Sequence, residues 1–175
     1  MNDRMMEQFN QTAEAIIVSA ERLIREGGYN GFSFREIATE VGVKSASVHY
    51  HFATKSDLAA TVARRYTERF MVAIDDAMKC ETNVRIVWIN AFRRALVEDG
   101  KMCLCAVLGT TSNSLPVSVQ TETRRFFECA LDKLNLSGLT ETQSVHILST
   151  LEGAMLLSLI FSKTSVFDQA VKELM

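Results

Sequence analysis

Proline is nearly missing from this 175-residue chain, which has one, and glycine is sparse at eight. So few breakers exclude collagen-like and low-complexity classes and favour helices. No internal repeat occurs, and no stretch alternates apolar and polar residues for more than a few positions, so strands are not expected. No secretory leader is expected either, since Met1 to Asn10 carry Asp3, Arg4 and Glu7 and no apolar run. The longest apolar stretch, Val145 to Phe161, is interrupted by His146, Ser149, Glu152 and Ser158. It falls short of the roughly 20 apolar residues of a membrane span, so a buried helix and no membrane partner are expected. The four cysteines, at 80, 103, 105 and 129, match no disulfide framework. Reduced thiols in a cytoplasmic protein are the expectation. Gly-rich phosphate loops, a nucleophile elbow and Glu-x-x-His pairs are all lacking. Cys103-x-Cys105 with one downstream histidine does not make a four-ligand set. Neither an enzyme nor a metal or cofactor is expected. An excess of one charge is also lacking: 19 basic against 21 acidic side chains leave a net charge of -2, which by itself speaks mildly against a polyanionic partner.

What the sequence does hold is helical periodicity, with 47% hydrophobic residues and 23% charged. Ala13, Ile16, Ile17, Ala20, Leu23 and Ile24 repeat at helical spacing over 11–26, and Gly27-Gly28 ends that run. Ser33 and Glu36 have capping-box spacing and open a helix that ends at Gly42. A short helix over 44–50 follows after a turn. Thr54 and Asp57 cap a long helix to about residue 79. Further helices are predicted over 83–97, 102–110, 116–135 and 140–163, with a short terminal one from 166. The expected fold is all-α, about nine helices, divided into residues 1–57 and 58–175.

The segment from Phe34 to Phe52 carries the functional information. Counting Phe34 as first, the fifth residue is Ala38, the ninth Gly42 and the fifteenth Val48. In a helix-turn-helix, the fifth must be small where the second helix crosses. The ninth accepts the left-handed backbone of a tight turn, and the fifteenth plugs one helix onto the other. With those inward, Lys44, Ser45, Ser47, His49 and Tyr50 are left to project toward base edges and phosphates. Charge follows the same division. Residues 1–40 sum to -3, whereas 41–69, with Lys44, Lys55, Arg64, Arg65 and Arg69, sum to +3.

Gly28-Tyr29-Asn30-Gly31-Phe32-Ser33, Ile37-Ala38, Val41-Gly42-Val43 and Tyr50-His51-Phe52-Ala53-Thr54-Lys55 together resemble the DNA-binding domain of TetR-type transcriptional regulators. The resemblance covers about residues 11–60. It implies an N-terminal three-helix helix-turn-helix domain over 1–57 and a C-terminal helical regulatory and dimerisation domain over 58–175. It also implies a double-stranded DNA operator, a homodimer, a small-molecule effector and phosphate contacts from Ser33, Tyr50 and Lys55, with His51 beside them. Lys44, Ser45 and His49 depart from the common pattern and leave the operator sequence open.

For the second half, Trp88, Phe92, Met102, Cys103, Leu108, Phe126, Phe127 and Met155 are expected to line an effector pocket. Aromatic and methionine side chains at helical spacing are as readily plain core. Ile147, Leu151, Gly153, Ala154, Leu157 and Phe161 form the expected dimer stripe. Cys103-Leu104-Cys105 beside Lys101 raises the alternative of a thiol that senses oxidants or electrophiles. A helical-bundle carrier or enzyme, or a regulator acting through protein contacts, are the other readings.

Overall fold

The computed structural model describes the backbone from Asp3 to Met175 and side chains from Asn10. The residues on which the expectation of no leader rests therefore lie largely outside the described side chains. Among the described residues, nine α-helices follow one another: α1 (Asp3–Gly27), α2 (Phe34–Val41), α3 (Ser45–His51), α4 (Lys55–Met78), α5 (Val84–Asp99), α6 (Leu104–Gly109), α7 (Val117–Leu136), α8 (Glu141–Phe161) and α9 (Thr164–Ala170). No strand occurs among the described residues.

Local chemistry explains most of the boundaries. Thr54 accepts from the Asp57 N–H and Asp57 accepts from the Thr54 N–H, a complete capping box. Thr140 and Gln143 do the same for α8. At α2 the box is only half made. The Ser33 hydroxyl accepts from the Glu36 N–H, but it donates to the Glu36 carboxylate, which therefore does not reach back to the chain. Gly42 closes α2 at φ 75°, a backbone that a side chain would strain.

One continuous core runs from Ile16 on α1 to Leu174. Its centre is an aromatic cluster. Phe70 meets Phe92, Phe126 and Trp88 at ring separations of 5.4, 5.5 and 5.9 Å, and Tyr66 meets Phe126 at 5.6 Å. Tilted and edge-on ring pairs of this kind add roughly 0.5–1.5 kcal/mol beyond their burial. Trp88, Phe92, Cys103, Leu108, Phe126 and Met155 are buried against neighbours in this core and line neither the cleft between α4 and α5 nor the groove on α7 and α8. Met102 is half-buried, and its carbonyl accepts from Arg25.

α8 is corrected in the same way. Ile147, Leu151 and Ala154 are buried in the chain's own core, so they offer nothing to a partner. Among the described residues, α8 alone is long and apolar enough to cross a membrane, with a mean hydropathy of 1.6 over its best window. It packs instead on α5, α7 and α9. The expected division at 57/58 falls in the first turn of α4, a helix whose buried residues Leu58, Val62, Tyr66 and Ile74 bind both halves together.

Candidate nucleic-acid interface

α2 and α3 are held against each other by Ile37, Ala38 and Val48, all buried. With Val48 inward, helical geometry decides which α3 side chains look out. Ser45, Ala46, His49 and Tyr50 are exposed, and Tyr50 keeps 75% of its surface. Ser47, expected among the outward residues, and His51, expected beside the phosphate contacts, flank Val48 and are only half-exposed. Ala46, which the motif does not single out, sits at the middle of the outward face. Counting 100° steps from Val48 finds it. A methyl group there suits apolar contact with a thymine methyl. The His49 ring is edge-on to Phe34 at 4.7 Å, which steadies its direction. Burial lowers the pKa of His51, so at neutral pH its charge is weaker than that of a free imidazole.

The flanking groups are partly committed elsewhere. Lys55 Nζ lies 4.4 Å from the ring centre of Phe32 and 5.0 Å from that of Tyr29. Burial lowers its pKa, against the opposing field of Glu36. The Ser33 hydroxyl is the cap of α2. Lys44 precedes α3 as its exposed N-cap residue. Arg35, exposed in the first turn of α2, has no ion pair or side-chain hydrogen bond among the described residues, and no sequence motif marks it.

The +3 stretch from 41 to 69 does not form a basic patch. Arg64 pairs with Glu122 at 2.9 Å, Arg65 with Glu14, and Arg69 with Glu21 at 2.7 Å. Three of its five cations face α7 and α1. What remains near α3 is Lys44, Lys55 and Arg35.

Comparison with known proteins agrees with this geometry. The family model for bacterial regulatory proteins of the tetR family matches residues 16–62, which span α1 to the start of α4. A TetR transcriptional regulator from Legionella pneumophila is 30% identical, covering 90% of this chain and 91% of its own, with a TM-score of 0.81. The chain belongs to the TetR family. A TetR-family regulator from Agrobacterium tumefaciens is 26% identical, with a TM-score of 0.89, 95% of this chain and 96% of that one being covered. At 17% identity, FadR from Bacillus subtilis, in complex with stearoyl-CoA, shares the fold with a TM-score of 0.69 over 91% of this chain and 97% of its own. No curated protein sequence matches significantly.

In this TetR-family transcriptional regulator, two of the open features of the second half bear on the expected sites. The first is a cleft of about 250 Å³ between α4 and α5, which none of the eight expected pocket residues lines. The second is an apolar groove of about 300 Å³ on α7 and α8, lined by Phe127, Leu131, Val145, Leu148, Ser149 and Glu152. Phe127, one of the expected pocket residues, thus lines an open groove. Next to it on α8, Leu156, Leu157, Ile160 and Phe161 stand exposed, Ile160 at 64%. Gly153 has open space where a side chain would begin.

The cysteines do not read as sensors. Burial pushes both Cys103 and Cys105 thiols up, reinforced by the field of Glu152. Lys101, expected to lower a thiol pKa, reaches Glu26 at 3.4 Å instead. Reactive cysteines need thiolate character and access, and these have neither. All four cysteines are free. No cluster of metal-ligating side chains occurs among the described residues.

Proposed function

We propose that this TetR-family chain is a homodimeric, cytoplasmic repressor that holds a palindromic operator and is released by a small-molecule effector. The observation that carries the reading is the outward face of α3. Ser45, Ala46, His49 and Tyr50 contribute little to the core and present hydroxyl, methyl and imidazole groups of the kind that read a major groove. A single seven-residue helix reads too few base pairs for a unique site, so two copies are needed, with α3 and its mate about 34–36 Å apart. The exposed apolar row on α8, with the α7–α8 groove, supports a partner chain on that side. In this reading the α7 and α8 helices of both chains form a four-helix interface, using Phe127, Val145, Leu156, Leu157, Ile160 and Phe161. An effector is supported by the fold relative FadR, whose structure holds stearoyl-CoA. α4 would carry the change, because it runs from the helix-turn-helix into the second half.

Selection of duplexes from a randomised pool by the full-length protein, followed by gel shifts over a salt series, tests this. The expected result is an inverted repeat bound by two chains, with affinity falling as salt rises. Failure of a folded dimer to enrich any sequence overturns the reading.

A further inference from the structure

The cleft between α4 and α5 has an apolar floor, with Phe70, Ala73 and Ala91 among its walls, and two arginines at its rim, Arg69 and Arg94. Arg94 is exposed and has no ion pair among the described residues. Its acidic neighbours are mostly occupied. Asp99 accepts from Arg25 at 2.6 Å, and Glu81 accepts from the Asn83 N–H at 2.7 Å. Glu98, one turn beyond Arg94, also lies at the rim and has no ion pair among the described residues. We infer that this cleft is the effector site and that it takes an aromatic or compact apolar monoanion, with Arg94 as the anchor for its charge. The volume is below the roughly 300–1,000 Å³ of pockets for drug-sized ligands, which points to one or two rings and not a long chain. Glu98 disfavours a second negative charge on the ligand. This inference rests on the proposed reading of the chain as an effector-responsive regulator and gives that reading a place and a ligand class.

The cleft is also where the second half grips α1. Arg69, stacked 5.7 Å from the Tyr66 ring centre, donates to Glu21 of α1. Asp99 receives the guanidinium of Arg25, a buried residue of α1. That guanidinium also donates to the carbonyls of Lys101 and Met102, at 3.0 and 2.8 Å. Two wall residues of the cleft are thus among the partners that hold α1, and α1 packs on α2. An anion at the rim competes with Glu21 for Arg69. A ring wedged between α4 and α5 shifts Asp99 relative to Arg25. Either event loosens the seat of the helix-turn-helix. By reciprocity, bound DNA must weaken the ligand by the same factor.

The sole tryptophan supplies a readout, because Trp88 lies 5.9 Å from the Phe70 ring that lines the cleft. The full chain is titrated with 5-(dimethylamino)naphthalene-1-sulfonate, a two-ring aromatic monoanion, reading energy transfer from Trp88. Saturable binding of one dye per chain is expected. Arg94→Gln, at an exposed site without a partner, should weaken it about tenfold or more through loss of a charge-assisted hydrogen bond. Ala73→Phe, which fills the cleft from the exposed side of α4, should abolish it. Equal binding by wild type and both variants, with helicity unchanged, places the dye elsewhere and overturns the site. Saturating dye should also lower affinity for the selected duplex by about fivefold or more in wild type, and not in Arg94→Gln. Unchanged duplex affinity in a chain that binds the dye through Arg94 overturns the coupling. Arg94-dependent dye binding by a chain that enriches no duplex leaves the cleft standing and removes the proposed DNA function.

Discussion

α3 and α8 both expose side chains that lie outside the core, and they differ in kind. α3 shows short polar groups, a methyl and one tyrosine around a single buried plug, Val48. α8 shows Leu156, Leu157, Ile160 and Phe161, while the opposite side of the same helix is buried. The first surface suits a partner made of base edges and phosphates. The second suits a partner that removes hydrocarbon from water. The contrast teaches that what a surface is for lies in which side chains the core leaves over.

The largest effect should come from putting a charge into the apolar row. Ile160→Asp leaves the chain folded, because the position is exposed, but buries an unpaired carboxylate on association. A loss of about 3–5 kcal/mol in dimer stability is expected. Sedimentation should then show monomers, with affinity for the selected duplex reduced at least a hundredfold. Dimers of wild-type strength would break the comparison on the α8 side.

Next comes Glu152, whose carboxylate oxygens are buried with no partner except the neighbouring Cys103 thiol. Burial pushes its carboxyl from an ordinary 4.5 up to about 7. The folded state therefore holds a proton that the unfolded chain has lost between those values, and stability falls as pH rises through that window. The full loss amounts to about 3 kcal/mol. Denaturant unfolding from pH 4.5 to 8 should show this fall in wild type. Glu152→Gln should flatten it, and a slope retained by the variant would assign the effect to other groups.

On the α3 side, His49→Ala and Ala46→Gln should each change base preference at one position of the half-site, by about 1–3 kcal/mol. Ser47→Ala should change it little, since Ser47 sits beside the plug. Repeating the duplex selection with each variant checks this. A dominant effect at Ser47 would mean that α3 docks rotated from the face described here.

The smallest effect is on salt dependence. Lys44→Gln should lower the slope of log affinity against log salt by about 0.9 for each phosphate that is no longer neutralised. Arg65→Gln should leave that slope unchanged, because Arg65 is paired with Glu14. Equal changes for both would restore α4 as part of the basic surface.

Much of this was legible in order along the chain. Helix starts were readable because caps are local: Thr54 with Asp57 and Thr140 with Gln143 lie three residues apart. The helix-turn-helix was readable because Ala38, Gly42 and Val48 are fixed by one short crossing of two helices. The pocket was not readable, because Trp88 and Phe126 have the same hydrophobicity whether they line a cavity or fill it. Their burial depends on Phe70, which arrives from a different helix.

By itself, then, the sequence determined the elements, their caps and the helix-turn-helix, all of which rest on contacts between residues close in the chain. Only the tertiary structure decided how charge and apolar surface are distributed. Arg64, Arg65 and Arg69 counted as a basic stretch until α1 and α7 supplied carboxylates from about 50 residues away. Ile147, Leu151 and Ala154 counted as a dimer stripe until the core claimed them. A charge or a methyl group contributes to a surface only if no long-range neighbour has covered it, and sequence spacing carries no record of such neighbours.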